Sequence, residues 1–192
     1  MKYVGIDLST RKSGYAVLDE CRKLTSLALF DFGNLLDAIV DLNRKSLPVA
    51  IDAPLTFPIT GIWRECDLML RKLGITCYAP GAPFFRGITE LGSRLRCALE
   101  KKGIRVMEVY PYATRLRCNI GAKVKKNALQ GRRQIQSDLG KFVVDLPEEI
   151  LNSHLLDAIL AAYTAYLAAH DMTETLSGRD GTIIIPKKDL SM

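Results

Sequence analysis

Apolar positions in the first fifty residues fall in short blocks before any helical spacing begins. Residues 2 to 7 (KYVGID) and 14 to 18 (GYAVL) are β-rich runs separated by S-T-R-K-S-G, polar punctuation that suits a hairpin or wide turn. A third run, LTSLALFDF over 24 to 32, extends them into an expected antiparallel meander. The period then changes. Leu35, Leu36, Ile39, Val40 and Leu42 predict a helix over 34 to 43 with Asn34 as its N-cap. LPVAIDAPL, over 47 to 55, predicts a strand buried on both faces that ends at Asp52, because Pro54 stops it.

Residues 55 to 88 are rich in Pro, Gly and aromatics and hold one helical stretch, WRECDLMLRKLG, so this section reads as an insertion over the sheet. Residues 89 to 102 predict an amphipathic helix stopped at Gly103, and IRVMEVYP a strand closed by Pro111. From 113 to 141 the pattern is helical but basic and interrupted. PEEILNSHLLDAILAAYTAYLAAH predicts a strong helix with Pro147 near its start and Glu148 and Glu149 at the positive end of its dipole. The tail, SGRDGTIIIP, reads as a turn and a short edge strand. The order β-β-β-α-β-α-β-α describes one α/β domain over 1 to 192, without repeats or a dividing linker.

At 192 residues and 48% hydrophobic content, the chain can bury a sizeable core. No apolar stretch reaches the ~18 to 20 residues that span a bilayer, and the N-terminus does not resemble a signal peptide, so a cytoplasmic protein with no membrane partner is expected. Cys21, Cys66, Cys77, Cys97 and Cys118 are scattered without a C-x-x-C pair, which argues for reduced thiols over zinc or redox chemistry. The net charge of +6 permits nucleic-acid contact. Its distribution says more: in residues 115 to 141 a run of Lys and Arg faces a single acid, Asp138. Arg115, Arg117, Lys123, Lys125, Lys126, Arg132 and Arg133 form a candidate phosphate-backbone track, and equally a solvated helical face.

Four acids recur in apolar surroundings: Asp7 in VGID, Asp52 in AIDAP, Glu108 in VMEVYP and Asp157 in HLLDAIL. The first three stand at or near strand C-termini, the ends that line the ligand crevice of such sheets, and the fourth lies on an apolar helix. Local pairing or turn capping could account for any one of them. Together they suggest convergence, which requires a cation, and carboxylate oxygens suit Mg²⁺ or Mn²⁺. Two such ions serve the attacking and leaving oxygens of an in-line phosphoryl displacement, the chemistry of nucleases. His154, one helical turn before Asp157, is a candidate proton shuttle or neighbour to the metal site. Tyr110 and Tyr112 are candidates for base stacking or for packing.

Taken in order, GID, IDAPL, RECDLMLRKLG, APFFRGITELGSRLRCALEKKG, EVYP, HLLDAILAA and GRDGTIIIP resemble the DUF429 family of predicted nucleases with a ribonuclease H-like fold. The resemblance runs from Val4 to Pro186. It implies a five-stranded mixed sheet in the order 3-2-1-4-5 flanked by helices, with the insertion at about 55 to 88 following strand 4. Carried over by position, it makes Asp7, Asp52 and Asp157 metal ligands and catalytic residues, leaves Glu108 as a family-specific ligand or an orienting residue, and makes Arg64 and Asp67 possible substrate contacts. A homodimer is compatible with it.

Two other readings stay open at this level. One is a non-catalytic scaffold that binds nucleic acid or a protein through the basic segment. The other begins from GIDLSTRKSG, which also resembles the first phosphate loop of actin-like ATPases and sugar kinases. The short chain and the lack of a glycine-rich adenosine-binding run weigh against that second alternative.

Overall fold

The computed structural model describes residues 1–42 and 48–188. Three antiparallel strands, β1 (Lys2–Asp7), β2 (Ser13–Asp19) and β3 (Leu24–Phe30), form the meander; β4 (Val49–Asp52) pairs in parallel with β1, and β5 (Val106–Glu108) in parallel with β4. The sheet order is β3-β2-β1-β4-β5, as the resemblance implies. Residue 43 of the expected first helix and residue 47 of the expected fourth strand lie outside the described residues.

Alternation along the strands divides the core in two. Tyr3, Ala16, Leu18 and Ala50 face helix α6 (Ser153–Ala169), whereas Val4, Ile6, Val17, Val49 and Ile51 face α1 (Phe32–Leu42) and α3 (Arg86–Glu100) through Leu35, Ile39, Leu95 and Leu99. Helix α6 is buried from Leu156 to Ala165, which explains why its central positions carry so little polarity. Two glycines let it sit close. A Cβ at Gly5 would stand 2.1 Å from the Ala162 nitrogen, and one at Gly14 would stand 2.2 Å from the His154 carbonyl oxygen. Larger residues would lift the helix off β1 and β2, and with it the side chains of its first turns.

Several boundaries differ from the sequence reading for local reasons. The first helix starts before Asn34, because Asp31 supplies the cap: its Oδ1 accepts the Asn34 amide at 3.0 Å. The last long helix does not start near Pro147. Asn152 caps it by accepting the Leu155 amide, while the Pro147 and Glu149 carbonyls are held by the Gln136 side chain. The basic stretch splits into α4 (Pro111–Arg117) and α5 (Leu129–Leu139) around a loop. Pro111 closes β5 by opening α4, at the N1 position where its missing N–H costs nothing. The tail is a hairpin of its own, β6 (Thr173–Gly178) and β7 (Gly181–Pro186), packed on α2 (Glu65–Lys72) and touching the main sheet through the Val109–Ile184 bridge.

Candidate metal centre

Asp7 and Asp52 are direct partners in the parallel register of β1 and β4, so their side chains leave the sheet together on the α6 face. Asp157, in the first turns of α6, comes down onto them. Each of the three offers an oxygen, and those atoms all lie within 4.8 Å of one another. Asp157 is buried and the other two are partly so.

Crowding of this kind is costly for anions. Burial, reinforced by Asp7 and Asp157, pushes the Asp52 carboxyl well above the usual carboxylate range. Burial also raises Asp157, against the opposing pull of Lys126, whose Nζ donates to its Oδ2. His154 Nδ1 bonds Asp7 Oδ2, and this hydrogen bond raises the histidine above its ordinary value. The cluster thus has one cation on Asp157 and an imidazole on Asp7. Three carboxylates of this geometry suit a hard divalent ion, with coordination positions left for water or a phosphate.

Glu108, expected as a fourth acid of the cluster, has other partners. In the register of β4 and β5 it stands opposite Ile51, not Asp52, and the pleat therefore turns it toward the other face. There the Arg64 guanidinium donates from Nη1 to Oε2 at 2.8 Å and from Nη2 to Oε1, and the Leu55 amide donates to Oε2 at 2.8 Å. Arg64 also holds both oxygens of Asp67, through Nε at 2.9 Å and Nη2 at 2.8 Å. Arg64 is 0% exposed, and the two residues expected as substrate contacts form an internal ion triad with Glu108 in the wall of the cleft that also holds Asp7 and Asp52. Burial alone would lower the arginine, but bonds to Glu108 and Asp67 override it and hold it charged. The triad fastens the insertion, through Arg64 at the start of α2, to the end of β5.

The basic segment is likewise split. Arg115 is buried and spends its guanidinium on the carbonyls of Ile120, Gly121 and Val124, which removes it from a surface track. Arg117 pairs with Glu174 at 2.7 Å, and Arg132 donates to the Asn127 carbonyl. Lys123, Lys125 and Arg133 are exposed, and Lys126 turns into the site.

A cleft of about 300 Å³ joins these parts, lined among others by Asp7, Asp52, Lys126, Glu108, Tyr78, Phe85 and Tyr110. A larger hollow of about 570 Å³, between Phe57 and the 178–182 turn, holds none of the three aspartates. Tyr110 donates its hydroxyl to the Thr76 carbonyl and meets Tyr112 edge to face at 6.2 Å, so this pair ties the insertion to α4. The aromatics at the cleft mouth were not singled out in the sequence. Tyr78 packs against Phe85 at 5.3 Å and against Phe84 at 5.9 Å, and Tyr78 and Phe84 are largely exposed. Three aromatics in the run CYAPGAPFF were the available signal.

No family model matches the chain, and no curated protein matches it. Solved structures do. RuvC of T. thermophilus in complex with a Holliday junction substrate matches with a TM-score of 0.52 at 14% identity, covering 88% of this chain and 96% of that one. A second Thermus thermophilus RuvC structure matches with a TM-score of 0.50 at 14% identity, covering 89% and 97%. At that identity the likeness concerns the fold, and the fold is the ribonuclease H-like one that RuvC shares.

Proposed function

We propose that the protein is a divalent-metal-dependent nuclease that hydrolyses phosphodiester bonds in nucleic acid, with Asp7, Asp52 and Asp157 as its metal ligands. The observation that carries this reading is the convergence of three carboxylates from two adjacent strand ends and one helix, with oxygens within 4.8 Å of one another. A divalent ion bound there supplies Lewis-acid activation of water and neutralisation of phosphoryl charge. The protein's own part is positional. β1 and β4 present Asp7 and Asp52 in register, α6 brings Asp157, and His154 fixes the orientation of the Asp7 carboxylate. Exposed Lys123, Lys125 and Arg133 supply attraction for a phosphate backbone. Glu108 serves this site indirectly, as the anchor of Arg64.

The fold shared with a RuvC solved on a Holliday junction makes a four-way DNA junction the first substrate to try, beside single- and double-stranded DNA and RNA. With Mn²⁺ or Mg²⁺, the wild-type chain is expected to cleave at least one of them. Asp7→Asn and Asp52→Asn should lose that cleavage while keeping the wild-type circular dichroism spectrum. Equal cleavage by the folded variants overturns the assignment, and metal-saturated protein that binds nucleic acid without cutting it favours the scaffold reading.

A further inference from the structure

Lys126 is held where it is by a loop with little freedom. Arg115 binds three carbonyls of residues 120 to 124 from below, and Asp138 accepts the Gly121 amide at 3.0 Å. Gly121 has a φ of +50°, and a Cβ there would stand 2.5 Å from Ile135 Cγ1. On the far side, Gly131 lets α5 press against Lys125, whose carbonyl oxygen would lie 2.0 Å from a Cβ at that position. The Lys125 carbonyl also accepts the Ala128 amide, and the Asn127 carbonyl accepts from Arg132. Residues on both sides of Lys126 are thus fastened. Its side chain is 44% exposed along its length, and its ammonium sits on Asp157 Oδ2 in the same cleft as Asp7 and Asp52.

We propose that Lys126 is a tethered cation that competes with the divalent metal for Asp157, so that the loop between α4 and α5 sets the metal concentration at which the site fills. This inference rests on the metal reading of the cluster. An ammonium and a divalent ion on one carboxylate repel each other at short range, so Lys126 must withdraw from Oδ2 as the ion enters. Until then it offsets part of the mutual repulsion of the three acids. The basic loop is therefore a device for delivering one charge, and its remaining lysines face solvent.

The test is Mn²⁺ binding measured by calorimetry on the full chain, wild type against Lys126→Met, which keeps the length of the side chain and removes its charge. Lys126→Met is expected to bind Mn²⁺ about tenfold more tightly or better, since ligand sites lose a competing cation. Under chelation it should also melt at a lower temperature than wild type, and Mn²⁺ should abolish the difference. Binding in the variant alone supports the proposal as well. Equal or weaker binding than wild type overturns the proposal and leaves the metal reading intact, whereas no binding in either protein overturns both. A second measurement does not depend on the variant folding: the lysines of the wild-type protein are ¹³C-methylated, and the Lys126 resonance is followed during a Mg²⁺ titration. It should move in step with saturation. A resonance that stays fixed while Mg²⁺ binds overturns the proposal.

Discussion

Asp7 and Asp52 face each other across the parallel pairing of β1 and β4, while Glu108 on β5 is in register with Ile51. One residue of register thus separates an acid that joins the cluster from one that does not. Two like charges in register are destabilising by themselves, and here a third carboxylate, Asp157, stands beside them.

Replacing one of the pair should therefore stabilise the chelated protein. Asp52→Asn is expected to raise unfolding free energy in EDTA by about 1 to 2 kcal/mol, as relief of a strained functional site commonly does. In wild type, Mn²⁺ at a hundredfold excess over its dissociation constant should add roughly 2.7 kcal/mol, an increment the variant should lack. Urea melts with and without metal read both effects.

His154 is tied to the cluster by its hydrogen bond to Asp7. Its loss should loosen a ligand without removing it. His154→Ala is expected to lower Mn²⁺ affinity or cleavage about 10- to 100-fold, with His154→Asn recovering part of the loss, because its amide can reproduce the bond from Nδ1. Equal activity of all three proteins contradicts a role in orienting Asp7.

The Arg64 triad predicts a different signature. Arg64→Met leaves Glu108 and Asp67 buried without their cation and should cost about 3 to 5 kcal/mol, and Arg64→Lys should rescue little, since a lysine cannot reproduce the two-sided fork. Glu108→Gln should cost about 1 to 3 kcal/mol while the folded fraction keeps its cleavage rate within a few fold. A folded Glu108→Gln protein without activity would return Glu108 to the chemistry.

Gly5 is where the fold and the site meet, because only a missing Cβ admits the Ala162 backbone. Gly5→Ala is expected to destabilise by at least about 1 to 3 kcal/mol through overpacking. It should also weaken Mn²⁺ binding, since a displaced α6 carries Asp157 away from β1. Chemical denaturation and calorimetry on the same preparation test the coupling.

Thiol reactivity reports the burial of the insertion and of α4. Cys21 and Cys97 are exposed, whereas burial pushes the Cys66 thiol up to about 12 and those of Cys77 and Cys118 up to about 11. A thiol reagent at neutral pH should titrate Cys21 and Cys97 quickly and the other three only after denaturation. Rapid reaction at Cys66 would contradict the packing of α2 against the terminal hairpin.

Much was already present in the linear order. Short apolar blocks, a change of period at Leu35 and an apolar stretch around Asp157 located the five strands of the sheet, the helices that cover it and three aspartates in apolar surroundings. The reason is local: burial alternates with period two or 3.6, and a charge that breaks the period is visible in one dimension. The fate of the fourth acid was not visible, because the strand ends VGID, AIDAP and VMEVYP look alike and only the pairing of β4 with β5 turns Glu108 toward Arg64. The basic run held the same ambiguity. Side chains a few positions apart, Arg115, Lys123 and Lys126, went to a buried clamp, to solvent and to the acid cluster, according to which element packs on each. Composition cannot sort them, since a charge takes its role from the groups that surround it in space, and those come from strands and helices far away in sequence.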